Sequence, residues 1–82
     1  MERRNCIEIT VEILRIASAG ARKTQIVYGA NLNHSLLKQY LERLEEKGLI
    51  KRERDKEERF KTTDLGHQYI EYYRNLQLLA NF

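Results

Sequence analysis

The stretch KTQIVYGANLNHSLLKQYLERLEEKGLIKRERDKEERFKTT, Lys23 to Thr63, decides the fold. Thr24–Ala30 predicts a short helix, Asn31–Leu32 a tight turn, and Asn33 the cap of a longer helix that stops at Gly48. In that longer helix Leu37, Tyr40, Leu41 and Leu44 recur at helical spacing and must face a core, while Ser35, Lys38, Gln39 and Glu42 project the other way. Lys47 complements the negative helix end, and Gly48 supplies a left-handed stop. Leu49–Ile50 then opens a strand. The segment LIKRERDKEERFKTT alternates in part and turns around Asp55–Lys56–Glu57–Glu58, which predicts a charged hairpin with no glycine in its loop.

Upstream, Asn5 can cap a first helix with Glu8 three residues on, and Gly20 lies just past the far end. Ile7, Ile9, Val11 and Ile13 also alternate with Glu8, Thr10 and Glu12, as in a strand. Helix is favoured because Glu8, Glu12 and Arg15 share one face and the remaining circumference is apolar. A helix apolar on most sides is buried on most sides, so Ile9, Ile13 and Ile16 are expected to lie between their own domain and a second chain. Downstream, Thr63 caps a last helix with Asp64 in its first turn. Gly66 there leaves bare backbone for a close approach to the domain. Leu65, Tyr69, Tyr72, Leu76 and Leu79 are spaced four, three, four, three, a heptad seam of about two repeats. Leu78, Ala80 and Phe82 extend that apolar surface, and a helix of about 17 residues would be about 25 Å long.

Two short helices, a tight turn and a hairpin, in that order, compose a winged helix-turn-helix. This module places one helix in a DNA major groove and lays a hairpin along the backbone. The expected class is α-rich (α+β), with residues 1–63 forming the winged domain and 64–82 a C-terminal dimerisation helix. The reading helix spans 33–47 and the wing 50–62. Asn33, His34, Ser35, Lys38 and Gln39 at the start of the reading helix can reach base edges or phosphates. Glu42 and the Glu45–Glu46 pair repel phosphate, so only the first half should enter a groove. The hairpin sets six cations against four anions. Arg52, Arg54, Lys56 and Arg59 are its candidate phosphate contacts, joined by Arg22 and Lys23 before a helix amino-terminus. Each has a plainer reading as part of a solvated face.

Eighty-two residues make one domain, and a chain this short often leans on a partner for stability. Its net charge of +3 suits nucleic acid without requiring it. One cysteine allows no intramolecular disulfide, and one Cys with two His cannot furnish a structural zinc site. Cys6 reads as a core residue, His34 as a turn or groove residue, and His67 as a surface residue. Tyr69, Tyr72 and Tyr73 beside leucines read as packing rather than base-stacking residues. There is no nucleophile–base pair, phosphate loop or carboxylate cluster, so no enzyme, cofactor, metal or small-molecule effector is expected. No membrane-length apolar run or signal peptide occurs, which points to a cytoplasmic, nucleoid-associated protein.

The Leu-x-x-Tyr-Leu core of the third helix, the Lys-Gly-Leu-Ile exit and Thr-Thr-Asp-x-Gly resemble the small archaeal winged-helix DNA-binding proteins that dimerise through a C-terminal antiparallel coiled coil. The resemblance runs from about residue 5 to residue 76. It implies a homodimer that binds double-stranded DNA with the third helix and wing, as a transcriptional regulator or chromatin protein. The tail here is shorter than the rods of that family. A winged-helix protein-interaction module that does not bind DNA is the alternative, and the acidic second half of the third helix would suit it.

Overall fold

In the computed structural model, which describes residues 4–55 and 57–80, the element order is α1 (Cys6–Ile16), α2 (Lys23–Ala30), α3 (His34–Glu46), β1 (Ile50–Arg54), β2 (Glu58–Thr62) and α4 (Asp64–Ala80). The local rules act where the sequence places them. Asn5 accepts from the Glu8 backbone N–H at 2.8 Å, and Glu8 returns a bond to the Asn5 N–H, closing a capping box. Asn33 accepts from Leu36 N–H at 2.7 Å and starts α3. Asn31 takes the left-handed conformation at φ 54° between α2 and α3, a strain that asparagine tolerates well. Gly48 sits at φ +73° just after α3 and releases the chain into β1. The first helix ends earlier than expected: Ala17 caps it, and Gly20, at φ +96°, lies three residues further on.

The hairpin is antiparallel, with Arg52 opposite Phe60 and Arg54 opposite Glu58 as its outermost pair. A third short rung joins it to the helices. Ala21 and Phe60 exchange backbone hydrogen bonds at 2.9 and 2.8 Å. The Thr62 hydroxyl, fully buried, donates to the Leu14 carbonyl at 2.6 Å, and Thr62 N–H donates to Ala17 O. The wing is thus fastened at its base to the loop after α1.

The core gathers Ile9, Ile13 and Leu14 of α1, Ile26 and Ala30 of α2, Leu37, Leu41 and Leu44 of α3, and Ile50 and Phe60 of the hairpin. This corrects the expectation for α1. Ile9 and Ile13 are 4% and 0% exposed within a single chain, so neither lines a surface for a second one. The helix is apolar nearly all round because α2, β2 and α4 all pack on it. Ile16 is half-buried and lies over Gly29 of α2, where a Cβ would come within 2.8 Å of its Cδ1. Cys6 is exposed rather than in the core.

The last helix docks by its first two turns. Gly66 is buried, Tyr69 and Ile70 pack partly on the core, and the Thr63 hydroxyl accepts from Gly66 N–H at 3.1 Å while donating to Gly48 O at 2.6 Å. Beyond Tyr73 every described residue is exposed.

Candidate nucleic-acid interface

The inner face of α3 is sealed by Leu37, Tyr40, Leu41 and Leu44, so its outer face is fixed in direction without any specific bond. That outer face presents His34, Ser35, Lys38 and Gln39, all exposed, with Glu42 behind them. Asn33 stands at the same end, its side-chain oxygen already engaged in the cap. Lys38 makes no ion pair among the described residues. Lys23 and Lys38 border a cleft between α3 and the hairpin, floored by Leu41, Arg52 and Phe60.

The hairpin cations are less free than the sequence alone suggests. Arg22 reaches Glu57 at 3.4 Å, Arg59 reaches the same carboxylate at 2.9 Å, and Arg54 lies 3.6 Å from Glu58. These pairs are solvent-exposed, and such pairs contribute little and exchange readily for a stronger anion. Arg52 differs. Its Nη2 donates to Glu45 at 2.8 Å, its Nη1 to Glu58 at 3.3 Å, and its guanidinium lies 5.0 Å from the Phe60 ring centroid. The hydrogen bond to Glu45 is the chief cause of a guanidinium pKa raised above its ordinary value; desolvation opposes it, and the charges of Glu45 and Glu58 add to the rise. The sequence pattern puts Arg52 among the phosphate contacts; in the structure it is an exposed residue with both terminal nitrogens paired to carboxylates and its guanidinium over the Phe60 ring. Lys56 lies outside the described residues.

Sequence reasoning misses two residues. Glu45 reads there as one of a phosphate-repelling pair, and nothing local reveals that it reaches across the Gly48 turn to β1. Tyr28, 84% exposed on α2, points away from the buried side set by Ile26, Val27 and Ala30, a position that a helical projection of that segment would show.

A separate apolar strip is formed where Ile7, Tyr69, Tyr72, Tyr73 and Leu76 line one shallow groove. Tyr72 is 72% exposed, and Leu65, Leu76, Leu78 and Leu79 are all at least half exposed. Among the described residues no group of three or more metal-ligating side chains assembles, and no helix is long and apolar enough to cross a membrane.

A cap-bounded helix pair, a turn and a two-stranded wing define a winged helix-turn-helix. The sequence pattern of the winged helix-turn-helix family matches residues 3–81, so the chain belongs to that family. Among solved structures it is similar to Sso10a-2, described as a DNA-binding protein from Sulfolobus solfataricus. The two share 22% identity over 94% of this chain and 82% of that one, with a TM-score of 0.84, a likeness of fold. No curated protein matches the chain.

Proposed function

We propose that this chain binds double-stranded DNA as a homodimer, with the first half of α3 in the major groove and the wing along the backbone. The observation that carries the reading is the exposed His34–Ser35–Lys38–Gln39 face on a helix whose other side is wholly buried, flanked by a cationic hairpin. Membership of the winged helix-turn-helix family and the likeness to a DNA-binding protein support it. Base edges fall within reach of the α3 side chains, and phosphates within reach of Lys23, Arg22, Arg54 and Arg59. The role is that of a binding protein, a transcriptional regulator or nucleoid component, rather than an enzyme.

Dimerisation follows from the exposed strip on α4. An apolar patch of this extent marks a protein interface, and a two-fold partner offering the same helix is the commonest way to cover it. The seam would comprise Leu65, Tyr72, Leu76 and Leu79, with Tyr69 at its domain end and Ile7 in the place that sequence periodicity gives to Ile9 and Ile13. Two reading heads on one duplex raise affinity through effective concentration.

The test is titration of duplex DNA over a range of salt. Contact with about four to eight phosphates per dimer gives a slope of roughly −4 to −7 in log affinity against log salt. A flat salt response rejects this mechanism. The exposed acids Glu42 and Glu46 favour the second reading, a protein-docking module, which would not retain duplex even at low salt.

A further inference from the structure

Among the described residues, Arg52 is the wing cation that faces the recognition helix and is held from three sides. Glu45, in the last turn of α3, and Glu58, on the opposite strand, take its two terminal nitrogens. Phe60, directly across the ladder and 1% exposed, lies under its plane. Arg52 and Glu45 are each about two-thirds shielded, with side chains 31% and 29% exposed. A phosphate arriving here would have to displace two carboxylates and lift the guanidinium from the ring. At the wing tip it need only replace an exposed partner of Arg54 or Arg59.

The geometry points to Arg52 as a positioning residue for DNA binding, bracing the wing against α3 through Glu45 rather than touching DNA. β2 is anchored at its middle by the Ala21–Phe60 rung and at its end by Thr62, but the outer part of the hairpin, Glu53 to Glu58, has no main-chain tie to the helices among the described residues. A two-stranded ribbon tied through β2 and, at its tip, by one exposed pair, Arg22–Glu57 at 3.4 Å, can still twist, since isolated hairpins are marginal in water. The Glu45–Arg52 bond ties the other strand, β1, to the end of the reading helix at the level where Ala21 holds β2, since Arg52 pairs with Phe60. It sets how far the cationic tip stands from the groove into which α3 points. An arginine suits this position because its planar fork meets two carboxylates while stacking on a ring; a lysine ammonium does one of these at a time. The acidic second half of α3 thereby has a use within DNA binding: one of its carboxylates repels phosphate in isolation, yet holds the wing where its cations meet phosphate.

The inference rests on the reading of the chain as a duplex binder, and charge change gives it a distinctive sign. Glu45→Gln and Glu57→Gln each remove one negative charge from the same region. Simple electrostatics predicts that both tighten DNA binding. Bracing predicts that Glu45→Gln weakens it by roughly tenfold as the wing loses its pre-organised position, whereas Glu57→Gln releases Arg22 and Arg59 and binds at least as tightly as wild type. Arg52→Lys, which keeps the charge and the stem over Phe60, should weaken binding to a similar degree with the salt slope unchanged. Glu45→Gln combined with Arg52→Lys should cost no more than either alone, as expected for one shared interaction. In an Arg54→Ala/Lys56→Ala/Arg59→Ala background, Glu45→Gln should have no further effect, because none of the three candidate tip cations remains to be positioned. Fluorescence anisotropy with a labelled duplex across a salt series reads all of these, with circular dichroism at the assay temperature showing each variant folded. Tightening by Glu45→Gln, a penalty that persists without the tip cations, or a salt slope reduced by about one in Arg52→Gln, which removes the charge, would overturn the brace. A wild type that fails to bind duplex overturns the DNA reading itself, and the brace with it.

Discussion

Gly66→Ala is a stringent test of how the last helix is seated. A Cβ at this position would lie 2.2 Å from the Leu49 carbonyl oxygen, 2.5 Å from Thr62 Cγ2 and 3.2 Å from the Leu49 carbonyl carbon. None of these can step aside cheaply. The Leu49 carbonyl accepts from Thr63 N–H at 3.1 Å, and Leu49 N–H donates to Leu44 O at 2.9 Å, so its peptide is held from both ends. Thr62 is buried and its hydroxyl is engaged. Relief therefore requires α4 to lift from the domain, taking the Thr63 hydrogen bonds with it. Overpacking of this kind costs about 1–3 kcal/mol, and contact with fixed backbone places it at the upper end. Alanine returns up to about 1 kcal/mol through helix propensity, leaving a net loss of about 2 kcal/mol. For a domain of this length that lowers Tm by about 8–16 °C.

Gly29→Ala supplies the internal control. Its Cβ would meet Ile16 Cδ1 at 2.8 Å, but that atom ends a half-buried side chain that can rotate away. Here the propensity gain offsets the contact, and stability should change by no more than about 0.5 kcal/mol. Thermal melts at one fixed protein concentration compare the three proteins, since any self-association makes Tm concentration-dependent. A Gly66→Ala melt within about 2 °C of wild type, on a domain where 1 kcal/mol moves Tm by about 4–8 °C, would refute the close approach of α4 to the Leu49 peptide.

Asn33→Ala should destabilise the chain by about 1 kcal/mol through loss of the α3 cap, measured by urea unfolding; an unchanged midpoint would mean the cap bond contributes nothing. Arg54→Ala with Arg59→Ala should weaken binding similarly for all duplex sequences and lower the salt slope by about one for each phosphate no longer touched, whereas Gln39→Ala should change sequence preference if any exists. A wing double variant with wild-type affinity and an intact fold would leave α3 as the whole interface. Leu76→Glu should place a charge in the α4 seam and dissociate the dimer, with DNA affinity falling in parallel. Sedimentation equilibrium checks it, and a monomeric wild type at micromolar concentration defeats the proposed seam.

The parts of this fold that are legible in the sequence are those set by short-range rules. Asn5, Asn33 and Thr63 each satisfy amide groups three residues away, so each marks a helix start from sequence alone. The α3 core face is legible because one helical period relates all four of its buried residues. The wing is legible because Gly48 and the alternation after it are both local. The Ala21–Phe60 rung is not, since a single bridge between two distant residues leaves no periodic trace. The candidate site is legible only as a set of exposed polar residues; which of its cations are already engaged depends on pairs formed across turns.

The same distinction explains why α1 misleads. Hydrophobic periodicity reports how much of a helix is covered but not by what. Ile9 and Ile13 need cover on several sides, and a second chain is one way to supply it. In the structure the domain supplies it alone, by wrapping α2, β2 and α4 around α1. The apolar surface left over consequently lies elsewhere, on Ile7 and the outer half of α4, displaced from the centre of the domain toward its edge. That displacement has a functional consequence. Ile7 and Tyr69 also border Tyr40, Arg43 and Lys47, in the second half of α3 and its cap, whereas neither His34 to Gln39 nor the wing lines either groove, so a partner docked at this edge would leave those residues clear. In the proposed reading, self-association and DNA contact by the first half of α3 then use different surfaces. Within that proposed reading the two halves of α3 also divide their roles, with His34, Ser35, Lys38 and Gln39 exposed for DNA while Glu45 pairs with Arg52 of the wing.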